Sequence, residues 1–211
     1  GIDGSRKLYS ELIDYLLSKG VEFVTEREIE SLIVEDEKIK GVVVTHKGEK
    51  EEYYSDNVVI GMGRSGAQKM MDLCKEHNIK YENGAIDIGV RAEIPDIIMK
   101  EINENFYEAK MIYYSRNYRD KMRTFCSNPS GFIAAEKYED DFVLANGHAY
   151  KDKKSTNTNL ALLCTKKFTQ PFNQPFEYAT AIAKMSSMLT GGKLLVQSYA
   201  DLKAGRRSTD E

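Results

Sequence analysis

Six consecutive residues stand out for the chemistry that their types and spacing allow: Gly61-Met62-Gly63-Arg64-Ser65-Gly66. We call them the glycine turn (residues 61–66). An apolar run precedes them, and a predicted helix over 67–77 follows. A glycine-rich turn between a buried strand and a helix lets backbone N–H groups approach a phosphate, and the helix N-terminus adds positive partial charge. The spacing is therefore compatible with contact to a nucleotide cofactor.

Two interpretations of the glycine turn remain open from the residues alone. In an opening dinucleotide fold, an acidic residue about 20 positions later holds the ribose, a role that Glu82 or Asp87 would take. However, no parallel βαβ unit follows the helix, and a predicted β-meander precedes the turn. The turn can also be purely structural, letting the helix pack closely on a sheet. A third interpretation, that the turn closes a cofactor domain, comes from the family resemblance given below.

Polar residues in the second half could bind a substrate. Arg91 lies on an apolar strand, and its guanidinium could hold a substrate carboxylate in two hydrogen bonds. The alternative is an ion pair with Glu93 or another acid. Residues 155–159, which include Asn157 and Asn159, form a polar run before an apolar strand. Such a run suits either ligand binding or capping of its own turn.

Two further residues are candidates for catalysis. His148 follows Asn146-Gly147 at a predicted turn, and its ordinary pKa suits acid–base chemistry. Cys126 precedes a Pro/Gly turn and could present a thiol to a cofactor. Each residue also has a purely structural interpretation. His148 could be hydrogen-bonded within its turn, and Cys126 could act as a small apolar core residue.

The elements that must position these residues change character along the chain. The first part is predicted as a helix over 6–19, a short strand at 21–24, a meander of strands at 28–34, 38–46 and 49–54, a strand at 57–60 and the helix at 67–77. The second part is predicted as strands at 85–93, 111–114, 123–126, 132–136, 142–145 and 160–165, with helices at 95–103 and 175–189. This pattern predicts an α/β (α+β) protein with a boundary near residues 82–86.

The overall composition of the chain limits the classes of function that we expect for it. The formal net charge of −3 over 211 residues gives no electrostatic reason to expect nucleic acid or a membrane surface as a partner. No apolar run approaches the roughly 20 residues that span a bilayer. Three widely spaced cysteines suggest neither a disulfide framework nor a metal site. We therefore expect a cytoplasmic protein without bound metal and, because the chain starts at Gly1 inside a predicted element, an excised fragment.

Several longer strings resemble one protein family. A helix that leads into a β-meander and then Val58-Val59-Ile60-Gly61 is similar to the later part of the FAD domain in flavoproteins with two dinucleotide-binding domains. The strings that resemble a bacterial family of uncharacterised FAD-dependent dehydrogenases are Ala85-Ile86-Asp87-Ile88-Gly89-Val90-Arg91-Ala92-Glu93, Thr124-Phe125-Cys126-Ser127-Asn128-Pro129-Ser130-Gly131, Asn146-Gly147-His148-Ala149-Tyr150 and Ser155-Thr156-Asn157-Thr158-Asn159-Leu160-Ala161-Leu162. They occur in the family's order and, with Gly1-Ile2-Asp3, cover nearly the whole chain.

The resemblance implies a domain division and a cofactor. Residues 1–84 would be the later part of an FAD-binding domain, and residues 85–211 a mostly antiparallel substrate or cap domain. FAD would bind to the full-length parent and be absent from this fragment. The cofactor-binding residues implied are Ile29 near the adenine, then Gly61, Gly63, Arg64 and Ser65. The family's pattern near Cys126 is closer to Cys-x-Cys-Pro-Gly-Gly, so a role that needs a cysteine pair is in doubt here.

The resulting hypothesis is a fragment of an FAD-dependent oxidoreductase that acts on a small molecule, the fragment alone being inactive. The alternative is a non-catalytic nucleotide-binding or interaction module that uses the glycine turn, or a scaffold without a ligand. The substrate, the electron acceptor and the oligomeric state do not follow from the sequence.

Overall fold

The structure, a computed structural model, describes residues 2–63, 65–138 and 142–209. The described residues form five helices and nine strands, and every strand pair is antiparallel. The predicted α+β class, with a meander followed by a mostly antiparallel β-rich part, is confirmed. The chain divides into two compact units, Tyr9–Glu82 and Asn83–Glu211 together with Gly1–Leu8.

The element bounds follow the chain. The helices are α1 (Ile2–Ser18), α2 (Ala67–Glu76), α3 (Asp96–Asn105), α4 (Pro175–Leu189) and α5 (Tyr199–Ala204). The strands are β1 (Glu28–Glu35), β2 (Lys38–His46), β3 (Glu49–Tyr54), β4 (Ile86–Pro95), β5 (Ile112–Tyr114), β6 (Lys121–Asn128), β7 (Phe132–Tyr138), β8 (Phe142–His148) and β9 (Asn157–Lys166). The polar sequence Glu139-Asp140-Asp141, which is typical of a turn between two strands, lies outside the described residues.

The smaller unit is built on the predicted meander. Strands β1, β2 and β3 pair in that order. The β1–β2 connection places Asp36 and Glu37 at φ values of 48° and 61°, and the β2–β3 connection places Lys47 and Gly48 at 50° and 87°. Two consecutive residues with positive φ give the turn twist that matches paired antiparallel strands. The tight connections that the predicted meander requires are therefore present.

Two predicted strands of the smaller unit are wrong. Residues 21–24 and 57–60 have no strand assignment, and neither segment pairs with another strand among the described residues. An apolar run forms a buried strand only where a neighbouring strand supplies partners for its backbone hydrogen bonds. Val59, expected inside a sheet, is 98% exposed.

The larger unit is organised around the last strand in the chain. Strand β9 lies between β4 and β6 in a four-stranded sheet with the order β4-β9-β6-β5. It begins three residues earlier than predicted, and Thr158, Asn159 and Leu160 are buried there. Strands β7 and β8 form a separate two-stranded sheet. The central position of β9 therefore places polar residues in the interior of this unit.

Helices in the larger unit pack on these strands. Helix α3 buries Met99, and Asn103 donates to Thr158 Oγ1 at 2.8 Å. Helix α4 keeps the predicted bounds and buries Ala183 and Ser187. The Ser187 hydroxyl accepts from the backbone N–H of Val143 at 2.9 Å, which ties α4 to β8.

Helix α5 is an element that the sequence prediction did not include. Ser198 caps the helix by accepting from the N–H of Asp201, and Gly205 ends it in the left-handed conformation. Both signals are local in sequence. Within the described residues, no helix is both long enough and apolar enough to cross a membrane.

Candidate functional site

The glycine turn has backbone features that suit a close ligand. Gly63 has a φ of +65°, a conformation that favours glycine. A Cβ added at Gly66 would lie 2.3 Å from Met62 Cβ, so this turn accepts no side chain there. Gly61, Gly63 and Ser65 are exposed, while Arg64 lies outside the described residues.

Helix α2 begins directly after this turn. Gly66 is its N-cap residue, no side-chain hydrogen bond caps the helix among the described residues, and the first turn contains no acidic residue. The first backbone N–H groups of a helix have no intrahelical partner and attract anions. The turn and the start of α2 can therefore receive a phosphate group.

A concavity adjoins the other predicted cofactor contact, Ile29. Its volume is about 520 Å³, and it is lined by Glu26, Arg27, Glu28, Thr45, Lys47 and Gly48. Ile29 pairs with Val44, and the register of β1 then shifts before Ser31. A shift of this kind leaves backbone groups outside the regular ladder. Ile29 itself is half-buried and follows Glu28, the lining residue next to it in the sequence.

Charge at this concavity is partly neutralised. Arg27 Nε donates to Glu51 Oε2 at 3.0 Å, and Arg27 Nη2 donates to Glu51 Oε1 at 3.1 Å. Hydrogen bonds from Arg27 and from Tyr53 hold the pKa of the Glu51 carboxyl below its ordinary value. The guanidinium of Arg27 is therefore already paired, and the concavity is not strongly cationic.

In the larger unit, Arg91, Cys126 and Asn159 come together from three neighbouring strands. Arg91 Nη1 donates to Asn159 Oδ1 at 2.6 Å and to the backbone oxygen of Cys126 at 3.2 Å. Arg91 Nη2 lies 3.4 Å from Asn146 Oδ1 on β8. Arg91 is half-buried and Asn159 is fully buried. The structure thus gathers one predicted catalytic and two predicted substrate-binding residues, which we call the Arg91 cluster.

Gly147 covers the Arg91 cluster, and the sequence prediction did not identify it. A Cβ added at Gly147 would lie 2.3 Å from Arg91 Nη1, 2.3 Å from Asn159 Oδ1 and 2.4 Å from Asn128 Nδ2. Gly147 lies inside β8 rather than in the predicted turn. A glycine inside a strand marks a close approach of another group to the backbone. A glycine within a strand is therefore the sequence signal that could have identified Gly147.

Cys126 has an unusual backbone. Its φ is +51°, and it lies where the pairing register of β6 and β9 shifts between Phe125 and Asn128. Its N–H donates to Glu108 Oε1 at 2.9 Å, and its backbone oxygen accepts from Asn128 Nδ2 at 2.9 Å. The three cysteines of the chain are free. Hydrogen bonds on both sides of the residue therefore hold its strained conformation.

The other predicted residues lie near this cluster but are placed differently. His148 is the last residue of β8, opposite Phe132, so its predicted position at a turn is wrong. Because β8 extends to residue 148, the Asn-Gly pair lies within the strand. Asn157 opens β9, and its N–H donates to Ser155 Oγ at 3.1 Å. The polar run therefore caps its own turn at one end and enters the interior at Asn159.

Asp96, at the start of α3, is a polar centre that the sequence prediction missed. Its carboxylate accepts from the N–H of Ser130 at 3.2 Å, from Ser130 Oγ at 2.6 Å and from Thr158 Oγ1 at 2.6 Å. Burial by itself raises the pKa of the Asp96 carboxyl, but the bonds from Ser130 and Thr158 outweigh that effect, and the net pKa is lowered. Within residues 2–63, 65–138 and 142–209, no group of His, Cys, Asp and Glu side chains is arranged to hold a metal ion.

Comparisons with known proteins agree with the cofactor assignment of the first part. Residues 3–86 match the family model of the FAD binding domain. An uncharacterized protein of Clostridium beijerinckii is 25% identical over 228 aligned residues, which cover 99% of this chain and 41% of the relative. The chain thus spans about two fifths of that relative's length. The resemblance to FAD-dependent oxidoreductases is confirmed, and the segment 3–86 is similar to an FAD binding domain.

Proposed function

We propose that this chain forms part of an FAD-dependent oxidoreductase that acts on a small molecule. The observation that carries the proposal is the FAD binding domain match over residues 3–86, which contains the whole unit Tyr9–Glu82 and therefore both the meander and the glycine turn. Bound FAD would supply hydride or electron transfer, and the protein would bind and orient the reactants.

The residues present fit the cofactor at two places in the smaller unit. Gly61, Gly63 and Ser65, with the N–H groups of the uncapped first turn of α2, would lie along its phosphate-bearing part. The backbone at Ile29, beside the 520 Å³ concavity, would meet the adenine. Arg64 belongs to the same proposal but lies outside the described residues.

In the larger unit, the proposed substrate-binding residues are Arg91, Asn157 and Asn159. Cys126 and His148 remain proposed catalytic residues. Cys126 is linked to Arg91 by a hydrogen bond, and His148 follows Gly147 on β8. A thiol and an imidazole are both groups suited to proton transfer during flavin chemistry.

Flavin content of the full gene product that contains these residues tests the proposal. We expect one FAD per chain after release of the cofactor by denaturation, and lower FAD occupancy in the variant Gly63→Leu. Gly20→Leu is the matched control, because Gly20 also has a positive φ, +84°, with no atom within 4 Å of an added Cβ. A gene product without flavin, or equal losses in the two variants, would contradict the proposal.

Nucleotide titration separates this proposal from a non-catalytic nucleotide-binding module. Such a module would use the glycine turn without the rest of a flavin site, so the 211-residue chain would bind NAD, NADP or ATP tightly. We expect no tight binding by this chain, and calorimetry with each nucleotide measures it. Tight binding that Gly63→Leu abolishes would favour the module.

A further inference from the structure

One face of the four-stranded sheet in the larger unit carries a continuous group of apolar side chains. Directly opposed residues of paired antiparallel strands share a face, as do residues two apart on one strand. The strand pairing therefore places six apolar side chains together, in one row of four and a second row of two. We call them the open face: Ile88, Cys164, Met122 and Tyr113 in the first row, and Val90 and Leu162 in the second.

The open face is exposed to solvent even at its centre. Leu162 and Met122 lie on strands that have a neighbouring strand on each side, yet each side chain belongs to a residue that is 38% exposed. At the edges of the sheet, Val90 is 66% exposed and Tyr113 is 56% exposed. Single exposed apolar residues are normal in proteins, whereas a contiguous apolar patch marks a contact surface.

The other half of the same sheet face is already covered within the larger unit. Thr158 and Leu160 lie on this face of β9 and are buried, and Asn103 of α3 donates to Thr158 Oγ1 at 2.8 Å. Thr124 of β6 is buried on this face as well, and its hydroxyl donates to the backbone oxygen of Ala109 at 2.9 Å. Helix α3 and the segment after it therefore form a second layer over one half of the face. A sheet normally buries its apolar face against such a layer, and the open face is the half that lacks one among the described residues.

We propose that the open face is the contact surface for an apolar segment of the same gene product that lies outside these 211 residues. The Clostridium beijerinckii relative has more than half of its length outside the aligned region, so a protein of that size has polypeptide available for this contact. The six residues of the open face carry no charge, and apolar interfaces of this kind are typical of permanent rather than transient contacts. The inference rests on the proposed function only in taking the chain as part of a longer protein.

Cys164 is a probe within the open face, because it is a free, half-buried thiol. Its rate of alkylation by iodoacetamide, assigned to the residue by mass spectrometry, measures whether the face is covered. We expect Cys164 to react at least about tenfold more slowly in the full gene product than in the 211-residue chain, because reaction then requires the contact to open. Asp152→Cys is the matched control, since it places a thiol at an exposed position outside the open face that should react equally fast in both proteins.

Val90→Asp in the full gene product tests whether the contact is apolar. The new carboxylate would be buried against the apolar segment without a partner, so we expect the contact to open and the alkylation rate of Cys164 to rise toward that of the 211-residue chain. Val196→Asp makes the same change at a valine that is 79% exposed and lies outside the open face, and it should leave Cys164 slow to react. If Val90→Asp does not fold, the comparison of the two wild-type proteins decides alone.

Four results would overturn the inference. Equal alkylation rates of Cys164 in the two wild-type proteins would mean that no further segment covers the open face. Protection in the full gene product that disappears on dilution would assign the contact to a second copy, and protection that disappears on removal of flavin would assign it to the cofactor. Equal effects of Val90→Asp and Val196→Asp would mean that the open face is not the surface involved.

The outcomes also separate this inference from the proposed function. FAD in the full gene product together with a Cys164 that reacts as fast as in the 211-residue chain would overturn the contact surface alone. A slow Cys164 in a gene product without flavin would overturn the oxidoreductase assignment and leave the contact surface standing.

Discussion

Gly147 and Cys126 show how single residues set the geometry around Arg91. The missing side chain at Gly147 lets the backbone of β8 lie directly against Arg91 and Asn159. The positive φ of Cys126 turns its carbonyl group toward Arg91 Nη1, which donates to it at 3.2 Å. Non-glycine residues with positive φ are uncommon and are typically held by their surroundings. The cluster thus depends on backbone positions as much as on its polar side chains.

Gly147→Ala is expected to destabilise the protein. The new Cβ would lie 2.3 Å from both Arg91 Nη1 and Asn159 Oδ1. Such overpacking forces neighbours to shift and typically costs about 1–3 kcal/mol. Urea denaturation measures the change in the free energy of unfolding.

Gly84→Ala is the control for that experiment. An added Cβ at Gly84 has no atom within 4 Å, so we expect a change below about 0.5 kcal/mol. Equal stability of the two variants would mean that the close approach at Gly147 does not exist in solution.

At the scale of elements, Asp96 connects three parts of the larger unit. It is the first residue of α3, and it accepts hydrogen bonds from Ser130, between β6 and β7, and from Thr158 on β9. Asn103, which lies further along α3, donates to the same Thr158 hydroxyl. A helix start, a strand connection and the central strand are therefore held by one carboxylate.

Asp96→Asn is expected to lower stability in a pH-dependent way. Hydrogen bonds to a charged acceptor stabilise more than neutral ones, so we expect a loss of about 1–2 kcal/mol at neutral pH. The folded-state pKa of Asp96 lies below its ordinary value of 3.8. The stabilisation is therefore fully present above that value and is lost as the pH falls through the folded-state pKa.

Urea denaturation of the wild type and Asp96→Asn between neutral and acidic pH measures this dependence. The stability difference should shrink on acidification below the ordinary value of 3.8. Asp152→Asn, at an exposed carboxylate, should leave stability unchanged across the range. A difference for Asp96→Asn that stays constant as pH falls would show that the charge of Asp96 is not what stabilises the native state.

The whole molecule combines two units with different relations to the proposed cofactor. The FAD binding domain match covers residues 3–86, while the remaining residues, including the Arg91 cluster, lie outside that match. The chain spans 41% of the Clostridium relative. The proposed flavin site therefore involves only part of this chain, and the proposed substrate site lies in the other part.

The purified 211-residue chain is expected to be colourless and inactive. Under the proposed function, the meander and the glycine turn would supply only some of the contacts with FAD, so we expect that the chain alone does not retain the cofactor. An absorbance spectrum and flavin release after denaturation measure it, and assays with NADH and artificial electron acceptors test activity. Stoichiometric FAD in this chain would contradict the expectation while supporting the cofactor assignment itself.

The sequence by itself determined the local features of this protein. Helix α4 begins at a proline and ends before two glycines, and the turns at Asp36-Glu37 and Lys47-Gly48 join strands of alternating pattern. Each of these signals lies within a few neighbouring residues, so the sequence alone predicts them. The resemblance to FAD-dependent oxidoreductases also follows from contiguous strings.

Only the tertiary structure decided which of the candidate residues meet. Arg91 contacts Cys126, 35 positions away, and Asn159, 68 positions away. They meet because β9 inserts between β4 and β6, and an alternating pattern shows which face of a strand is buried but not which strand pairs with it. For the same reason residues 57–60, an apolar run typical of a buried strand, form no strand here. Strand pairing between residues far apart in the sequence brings the members of the Arg91 cluster together. The cluster is therefore a property of the folded chain.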